Sequence, residues 1–355
     1  MMTLRQFSEE NLSVPSGTAW LLADIGQAMG MQALFTKQSP QRLKVLLEHA
    51  LIESAVSSNR IEGVEVDQKR IGTLIFGKAA LRDRDEEEVR GYRDALNLIH
   101  TQREKLPVSE STILQLHQLA RGEICDAGKY KDKNGDIIER FPDGRTRVRF
   151  RPTPAKNTPA AMKELLKLWN ECLQERWVHP LVAMCAFNLD FLCIHPFRDG
   201  NGRSSRLLLV QQCYHLGLDV GRYISLERVI EQNKERYYET LQASSVGWHD
   251  AKHDPWKYIN FLLFILKDAF KEFESRLGRI AEPKGAKAEL VRAVVARQTA
   301  PFRLSAIEHE CPGVGRDWIQ SLLREMKTEG LLRSTGHGAG AKWLRVEHNK
   351  GSTLK

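Results

Sequence analysis

Apolar positions in this chain recur three and four residues apart much more often than they alternate, which predicts a mainly helical protein. Leu43, Leu46, Leu47, Ala50, Leu51 and Ser54 fall on one face of a predicted helix. A second helix fits Glu86 to Glu104, where the acidic turn Asp85-Glu86-Glu87-Glu88 suits the positive end of the helix dipole. A third covers about Ser109 to Gly122. Thr158-Pro159 reads as an N-cap followed by proline at the first helical position, opening a helix through Met162, Leu165, Leu166, Trp169 and Cys172. Apolar Leu181 to Cys193 and then Ser204 to Leu216 predict two more. Later helices cover Leu226 to Ser244, and Asp254-Pro255 onward to about Leu277.

Two regions depart from this pattern. Lys129 to Pro154 is rich in Gly, Asp and Arg, and holds two short β-like runs, Asp136 to Glu139 and Thr146 to Phe150. Pro142-Asp143-Gly144 between them is a turn signal, so a β-hairpin is expected, with a plain surface loop as the alternative. An isolated hairpin is marginal by itself, which favours a functional reason for keeping one. Arg279 to Lys287, with Pro283-Lys284-Gly285, reads as a linker. Beyond it, helices are expected at Ala288 to Gln298, Leu304 to Cys311 and Val314 to Thr328, with a turn at Pro312-Gly313. In the third of these, Trp318, Leu322, Leu323 and Met326 should point inward. Leu331 to Ser334 and Lys342 to Val346 alternate as strands around Gly336-His337-Gly338-Ala339-Gly340. Three helices and a two-stranded wing resemble a winged helix-turn-helix. Arg316, Gln320, Arg324 and Lys327 lie on the polar side of its third helix, and DNA or protein contact would both fit.

With 355 residues the chain has room for two or three domains. Lys and Arg number 53 against 45 Asp and Glu, a net charge of +8. That balance permits nucleotide or nucleic-acid contact without demanding it. The six cysteines (Cys125, Cys172, Cys185, Cys193, Cys213, Cys311) form no Cys-x-x-Cys pair. They read as reduced core thiols, not as disulfides or zinc ligands. Met1 to Gln6 has no apolar signal core, and the longest apolar candidate, Trp256 to Phe270, is interrupted by Lys257, Asn260, Lys267 and Asp268. No membrane partner is expected, and the location expected is cytoplasmic.

Chemistry concentrates in Ile194-His195-Pro196-Phe197-Arg198-Asp199-Gly200-Asn201-Gly202-Arg203-Ser204-Ser205-Arg206. It joins a proton acceptor, a carboxylate suited to a metal, a Gly-Asn-Gly turn and two arginines. The flanking patterns make it helix, sharp loop and helix N-terminus, where backbone N–H groups and the dipole bind anionic oxygens. Arg203 and Arg206, three apart, share one face beside the same anion. Each part alone is ordinary: a capping histidine, a turn, a solvated arginine face. Eight fixed residue types in order arise by chance at ~10⁻⁸ or below over such a chain. The site is built for a polyphosphate.

The stretch resembles the Fic family signature, His-x-Phe-x-Asp/Glu-Gly-Asn-Gly-Arg-x-x-Arg, at every position. The resemblance implies a helical Fic core, with the hairpin as a flap whose Val148, Arg149 and Phe150 pin a target by strand addition. It also implies transfer of AMP from ATP to a Tyr, Ser or Thr hydroxyl of a target protein or of the chain itself. His195 would be the general base and Asp199 the Mg²⁺ ligand. Gly200, Asn201 and Gly202 would cradle the α- and β-phosphates, Arg203 would neutralise the leaving pyrophosphate, and Arg206 would reach the γ-phosphate. Phe197 reads as an anchor of the loop and Arg198 as solvent-facing. Relatives carry a Tyr-Tyr pair beside the adenine, which points to Tyr237 and Tyr238, with Asn233 nearby. Ser245 stands where relatives often have Asn, which puts an adenine contact there in doubt.

Upstream, Ser58 to Gly63 resembles the family's inhibitory pattern, Ser/Thr-x-x-x-Glu-Gly/Asn. The alternative is a helix C-cap with Gly63 in the left-handed position. In the family arrangement Glu62 would pair bidentately with Arg206 and block the γ-phosphate. The organisation expected is an N-terminal helical region with the inhibitory helix (1–100), a Fic core (101–278), a linker (279–287) and a winged helix (288–348). The function expected is a self-inhibited protein adenylyltransferase. Rivals are removal of AMP with Glu62 orienting water, transfer of another phosphate-containing group, and a nucleotide-sensing DNA-binding transcription regulator. Relatives with kinase-like activity replace Gly-Asn-Gly, which disfavours that branch. A homodimer is a further candidate assembly.

Overall fold

The computed structural model describes residues 2–9, 12–36, 40–77, 80–122, 126–140, 143–279, 286–311, 314–336 and 341–346. Helices α1 (Thr3–Gln6), α2 (Ser16–Thr36), α3 (Pro40–Ile61), α4 (Ile71–Phe76), α5 (Arg84–Gln102) and α6 (Glu110–Arg121) come first. A hairpin of β1 (Ile137–Arg140) and β2 (Thr146–Phe150) follows. Next are α7 (Thr158–Glu175), α8 (Pro180–Ile194), α9 (Asn201–His215), α10 (Leu226–Gln232), α11 (Lys234–Ser245) and α12 (Trp256–Arg279). The chain continues through α13 (Ala286–Arg297), β3 (Phe302–Arg303), α14 (Leu304–Glu310), α15 (Arg316–Thr328), β4 (Leu332–Thr335) and β5 (Lys342–Arg345).

The largely apolar run from Leu181, interrupted only by Asn188 and Asp190, explains the architecture. A helix that is apolar all round must be enclosed, and every residue of α8 from Leu181 to Ile194 is buried. Helices α1, α7, α9, α11 and α12 surround it. Pro180 sits in its first turn, and His179 Nδ1 caps it by accepting from the Leu181 N–H at 3.2 Å. The amphipathic α3 lies across α5 and α10. There the buried Glu227 accepts from Ser54 Oγ (2.6 Å) and Tyr92 Oη (2.8 Å), which ties α3, α5 and α10 together.

One hydrophobic cluster runs from Met2 to Phe273 and a second from Val291 to Trp343. The expected boundary at 100/101 falls inside α5, and both sides of it share the first cluster. The second cluster is covered by α13, α14, α15 and a three-stranded antiparallel sheet in the order β3-β5-β4. Strand β3 adds to the two expected strands. Helix α13 packs on α3 and α4, where Arg297 meets Glu48 at 2.6 Å and the Lys44 ammonium donates to the Glu310 carbonyl.

Several expectations are corrected. The helix expected over 226–244 divides at Asn233, which separates α10 from α11. Thr158 is not an N-cap: its Oγ1 donates to the Pro154 carbonyl at 3.2 Å, and Asn157 holds the cap position. Trp318, in the first turn of α15 after the N-cap Gly315, is 40% exposed, while Leu322, Leu323 and Met326 face the core as expected. Helix α9 starts at Asn201, three residues earlier than its apolar pattern, so the glycine turn belongs to its first turn. The hairpin pairs Ile138 with Val148, Glu139 with Arg147 and Arg140 with Thr146, with a bulge between Ile137 and Ile138. Cys172, Cys185, Cys193, Cys213 and Cys311 are buried and free. Cys125, Pro142, Pro283-Lys284-Gly285, Pro312-Gly313 and His337 to Gly340 lie outside the described residues. Among the described residues no helix is long and apolar enough to cross a membrane.

Candidate active site

Helix α8 delivers His195 at its C-cap, in the left-handed region at φ 51°. Its N–H donates to the Phe191 carbonyl at 2.9 Å. Nδ1 lies 3.3 Å from the Leu192 carbonyl, which can only accept, so Nδ1 carries the proton and Nε2 keeps its lone pair. Burial first, and then Lys131, lowers the imidazole's pKa to about 4. His195 is therefore neutral at neutral pH.

The loop after it is held from inside. Asn201 Oδ1 accepts from the Phe197 N–H and Asn201 Nδ2 donates to the Phe197 carbonyl, both at 2.8 Å. The Asn201 side-chain amide is thus consumed in stapling the loop, which leaves its backbone N–H for the expected phosphate cradle. Phe197 is buried and stacks on His117, with centroids 3.6 Å apart and planes 1° apart. His117 Nδ1 accepts from the Gly128 N–H at 3.0 Å, so its Nε2–H donates to the Asp199 carbonyl, also at 3.0 Å. Gly200 has φ 80°, and a Cβ there would lie 3.1 Å from Arg121 Cδ. The positive φ favours glycine, and a Cβ would in addition press on the Arg121 side chain. Arg198 is exposed, as expected.

Each motif arginine is held by a carboxylate. Arg206 is buried, and its Nη2 meets Glu62 Oε1 at 2.8 Å. The expected bidentate pair is corrected: Arg206 Nε donates instead to Ser58 Oγ at 2.8 Å, and Nη2 also reaches the Ser58 carbonyl at 2.9 Å. Ser58 holds Nε and Nη1 has no hydrogen-bond partner among the described residues, so Glu62 reaches the guanidinium through one oxygen and one nitrogen. Gly63, at φ 85°, ends α3, and the Val64 N–H returns to the Asn59 carbonyl at 3.0 Å. The segment is thus a helix C-cap and an arginine clamp at once. Burial opposes the Arg206 charge, yet Glu62 holds its pKa above the ordinary value. A Cβ on Gly202 would lie 2.2 Å from Glu62 Oε1, so that carboxylate rests on the first turn of α9.

Arg203, 2% exposed, lies with Nη1 2.7 Å from Glu88 Oε2 and 3.3 Å from Asn59 Oδ1. Glu88, itself buried, also receives Arg84 at 3.0 Å and Arg121 at 2.9 Å. Arg121 and Arg84 reach on to Asp199 Oδ2 at 2.8 and 3.3 Å, while Asp199 Oδ1 accepts from the Gly200 N–H at 2.6 Å. Burial works against the Asp199 carboxylate, but Arg121, the Gly200 amide, Arg203 and Arg84 keep its pKa below the ordinary value. Among the described residues no group of three or more His, Cys, Asp or Glu could hold a metal. A single half-exposed carboxylate beside an anion loop fits Mg²⁺, which binds through one or two carboxylates plus phosphate oxygens and water.

A cavity of about 420 Å³ opens over this floor. Its walls are Glu62, His195 and Gly202, then Ile137, Ile138, Arg149 and Phe150 of the hairpin, and Tyr237, Tyr238, Leu241, Gln242 and Ser245 of α11. Tyr237 is buried; Tyr238 donates to the Ile61 carbonyl at 3.4 Å. The Arg149 guanidinium lies 5.7 Å from the Tyr238 ring centroid and donates to Gln242 Oε1 at 2.9 and 3.1 Å. Phe150 stacks on His249 at 5.6 Å. Val148 does not line the cavity and is exposed, as is its cross-strand partner Ile138, which does line it. Asn233 is not brought to the cavity: its Nδ2 donates to the Val229 carbonyl at 2.9 Å, closing α10. The sequence reading missed Glu88, Arg121, His117 and Lys131, which touch the motif from α5, α6 and the segment before the hairpin.

Residues 107–213 match the Fic/DOC family. The chain is 22% identical over 217 residues to a Nematostella vectensis protein named protein adenylyltransferase Fic, covering 58% of this chain and 46% of that protein. It is 25% identical over 146 residues to the Drosophila grimshawi protein of the same name, covering 41% and 27%. It thus spans about half the length, or less, of the curated relatives it matches. A Fic family protein from Desulfovibrio desulfuricans G20 shares the fold at TM-score 0.60 and 23% identity, over 97% of this chain and 100% of that one. A Fic-domain-containing signaling protein from Bacteroides thetaiotaomicron VPI-5482 does so at 0.60 and 22%, over 72% and 97%. Motif, matched segment and shared fold agree: residues 107–213 are similar to the Fic/DOC family, on a fold shared with Fic family proteins.

Proposed function

We propose that the chain is a self-inhibited protein adenylyltransferase that moves AMP from ATP to a Tyr, Ser or Thr hydroxyl of a target protein or of itself. One observation carries this reading. A neutral histidine with Nε2 free shares a cavity with the glycine turn of α9, and a carboxylate from α3 already occupies that turn. The hydroxyl proton goes to His195 Nε2 as the hydroxyl oxygen attacks the α-phosphorus. The new O–P bond replaces the bond to the β-phosphate, and pyrophosphate leaves. The Gly202 turn and the α9 N-terminus stabilise the charge that develops. Asp199 would hold Mg²⁺, which neutralises phosphate charge when bound. Arg206 serves the γ-phosphate once Glu62 releases it. Arg203 acts from its seat on Glu88, and Tyr237 and Tyr238 flank the base. The hairpin presents an extended target segment through its backbone, with Val148 outward.

The relatives' name, protein adenylyltransferase, supports the transferase class. The C-terminal module, three helices and a small sheet, fits a winged helix, with Arg324 and Trp318 outward for a DNA or protein partner. A second reading rests on Glu62 lining the same cavity as His195: its carboxylate would orient a water to remove AMP. Incubation of a cell extract with α-labelled ATP and Mg²⁺, comparing the wild-type chain with Glu62→Gly, tests both. Label on protein that rises in Glu62→Gly is expected. No label in either chain, with loss of AMP removal in Glu62→Gly, selects the second reading.

A further inference from the structure

Lys131 meets the entrance of the motif loop from the far side. Its backbone N–H donates to the Pro196 carbonyl at 2.9 Å. Its Nζ donates to the Ile194 carbonyl at 3.0 Å and to the His195 carbonyl at 2.7 Å. One residue therefore occupies three consecutive carbonyls around His195. The last carbonyls of a helix have no partner within it, and a cation at the negative end of the dipole is well placed to take them.

Lys131 is 8% exposed, and no salt bridge holds it among the described residues. Burial lowers its pKa to about 8. An ammonium without a counter-ion is a costly way to fill buried space, and an apolar side chain would do it at less cost. The site demands the donors. His195 shows why: a non-glycine residue in the left-handed region persists only where its surroundings impose that backbone.

The other end of the hairpin makes a matching contact. The Thr153 N–H donates to the Cys193 carbonyl at 3.4 Å. Residues 131 and 153 bracket β1 and β2, so both feet of the hairpin are bonded to the 193–196 backbone. The segment proposed to hold the target is anchored to the one that carries the base.

We propose that Lys131 is a positioning residue for His195, fixing the imidazole's cavity-facing pose and joining it to the foot of the target-holding hairpin. The proposal rests on His195 as general base. The charged groups that act on the imidazole are Lys131, which disfavours its protonation, and Glu62 and Asp199, which favour it. Near it, an ammonium disfavours the imidazolium, which keeps the base unprotonated before the reaction and speeds loss of its proton afterward.

The test uses the full chain carrying Glu62→Gly, with Lys131→Met and Lys131→Arg added separately. Label transfer gives kcat and the KM for ATP, and ¹H–¹⁵N spectra follow the His195 tautomer and titration. Lys131→Met should lower kcat by about 100-fold, the scale of a misplaced reacting group, with KM for ATP within about twofold. Its His195 should titrate closer to the ordinary 6.5 or so and lose the single Nδ1–H tautomer. Lys131→Arg, which keeps charge and donors, should recover most of the rate and the low titration. A folded Lys131→Met with the parent's His195 tautomer and titration overturns the proposal. Should Lys131→Met not fold, Lys131→Gln carries the same readouts and the same criterion. If the Glu62→Gly parent transfers no label, the transferase reading fails, while the imidazole spectra still decide the role of Lys131.

Discussion

Glu62 Oε1 stands 2.8 Å from Arg206 Nη2 and in the space a Cβ on Gly202 would need. One carboxylate thus sits where an anion would meet both the arginine and the α9 N-terminus. Ser58 fixes the other side of the guanidinium, so the clamp is a property of the whole end of α3.

Removing that carboxylate should free Arg206. A coupling of about 1–3 kcal/mol corresponds to about 5–150-fold, so Glu62→Gly should raise auto- and target labelling by that factor. Arg206→Ala in the same background should cancel the gain, since the released partner is then missing. Gel autoradiography of the three chains with α-labelled ATP checks this. Equal labelling in wild type and Glu62→Gly would reduce Ser58 to Gly63 to an ordinary helix end.

Glu88 holds three arginines, two of them buried. Removing one partner from a buried ionic cluster leaves the others uncompensated, at about 3–5 kcal/mol. Glu88→Ala should therefore lower the unfolding free energy obtained from denaturant titration by an amount in that range. An unfolding free energy within about 1 kcal/mol of wild type would mean that water reaches these guanidinium groups.

The motif was legible because its chemistry is contiguous: His195 to Arg206 spans one loop and one helical turn. The same holds for Ser58 to Gly63. What surrounds them comes from distant elements whose own spacing carries no chemical signature. Glu88 was read only as part of an acidic helix start, yet a signal was present. It falls on the same helical face as Tyr92, Ala95 and Ile99, all buried, and a carboxylate on a buried face needs partners. Lys131 and His117 offered no such cue, because their roles depend on which carbonyls the fold brings to them. The backbone bonds of the Asn201 and Asn233 side-chain amides are hidden in the sequence for a related reason. Asparagine beside a turn can serve a ligand or its own backbone, and only the geometry distinguishes the two.

Asp199 is the sole acidic residue of the motif loop. Asp199→Asn keeps the acceptor for the Gly200 amide but drops the charge. Transfer by Glu62→Gly/Asp199→Asn should need more Mg²⁺, with a higher half-saturating concentration, because a carboxylate ligand is lost. An unchanged Mg²⁺ titration would place the metal on another group.

His195 sets the last expectation. Its pKa is lowered to about 4, by burial first and Lys131 next. The reactive form is the unprotonated one, which exists above that value. Labelling by Glu62→Gly should therefore be flat through neutrality and fall only as pH drops toward about 4. An ordinary histidine would already lose half its activity near 6.5. Stability follows the same sign. His117 and His253 are lowered to about 4 and His100 to about 3, in each case mainly by burial. A neutral form favoured in the fold contributes stability that is fully present above about 6.5 and is lost as pH falls through the folded values. Thermal midpoints should hold above about pH 6.5 and decline below it. Far-UV circular dichroism at each pH separates the two effects: a labelling rate that halves near 6.5 while the chain remains folded would show that His195 is not the desolvated base described above.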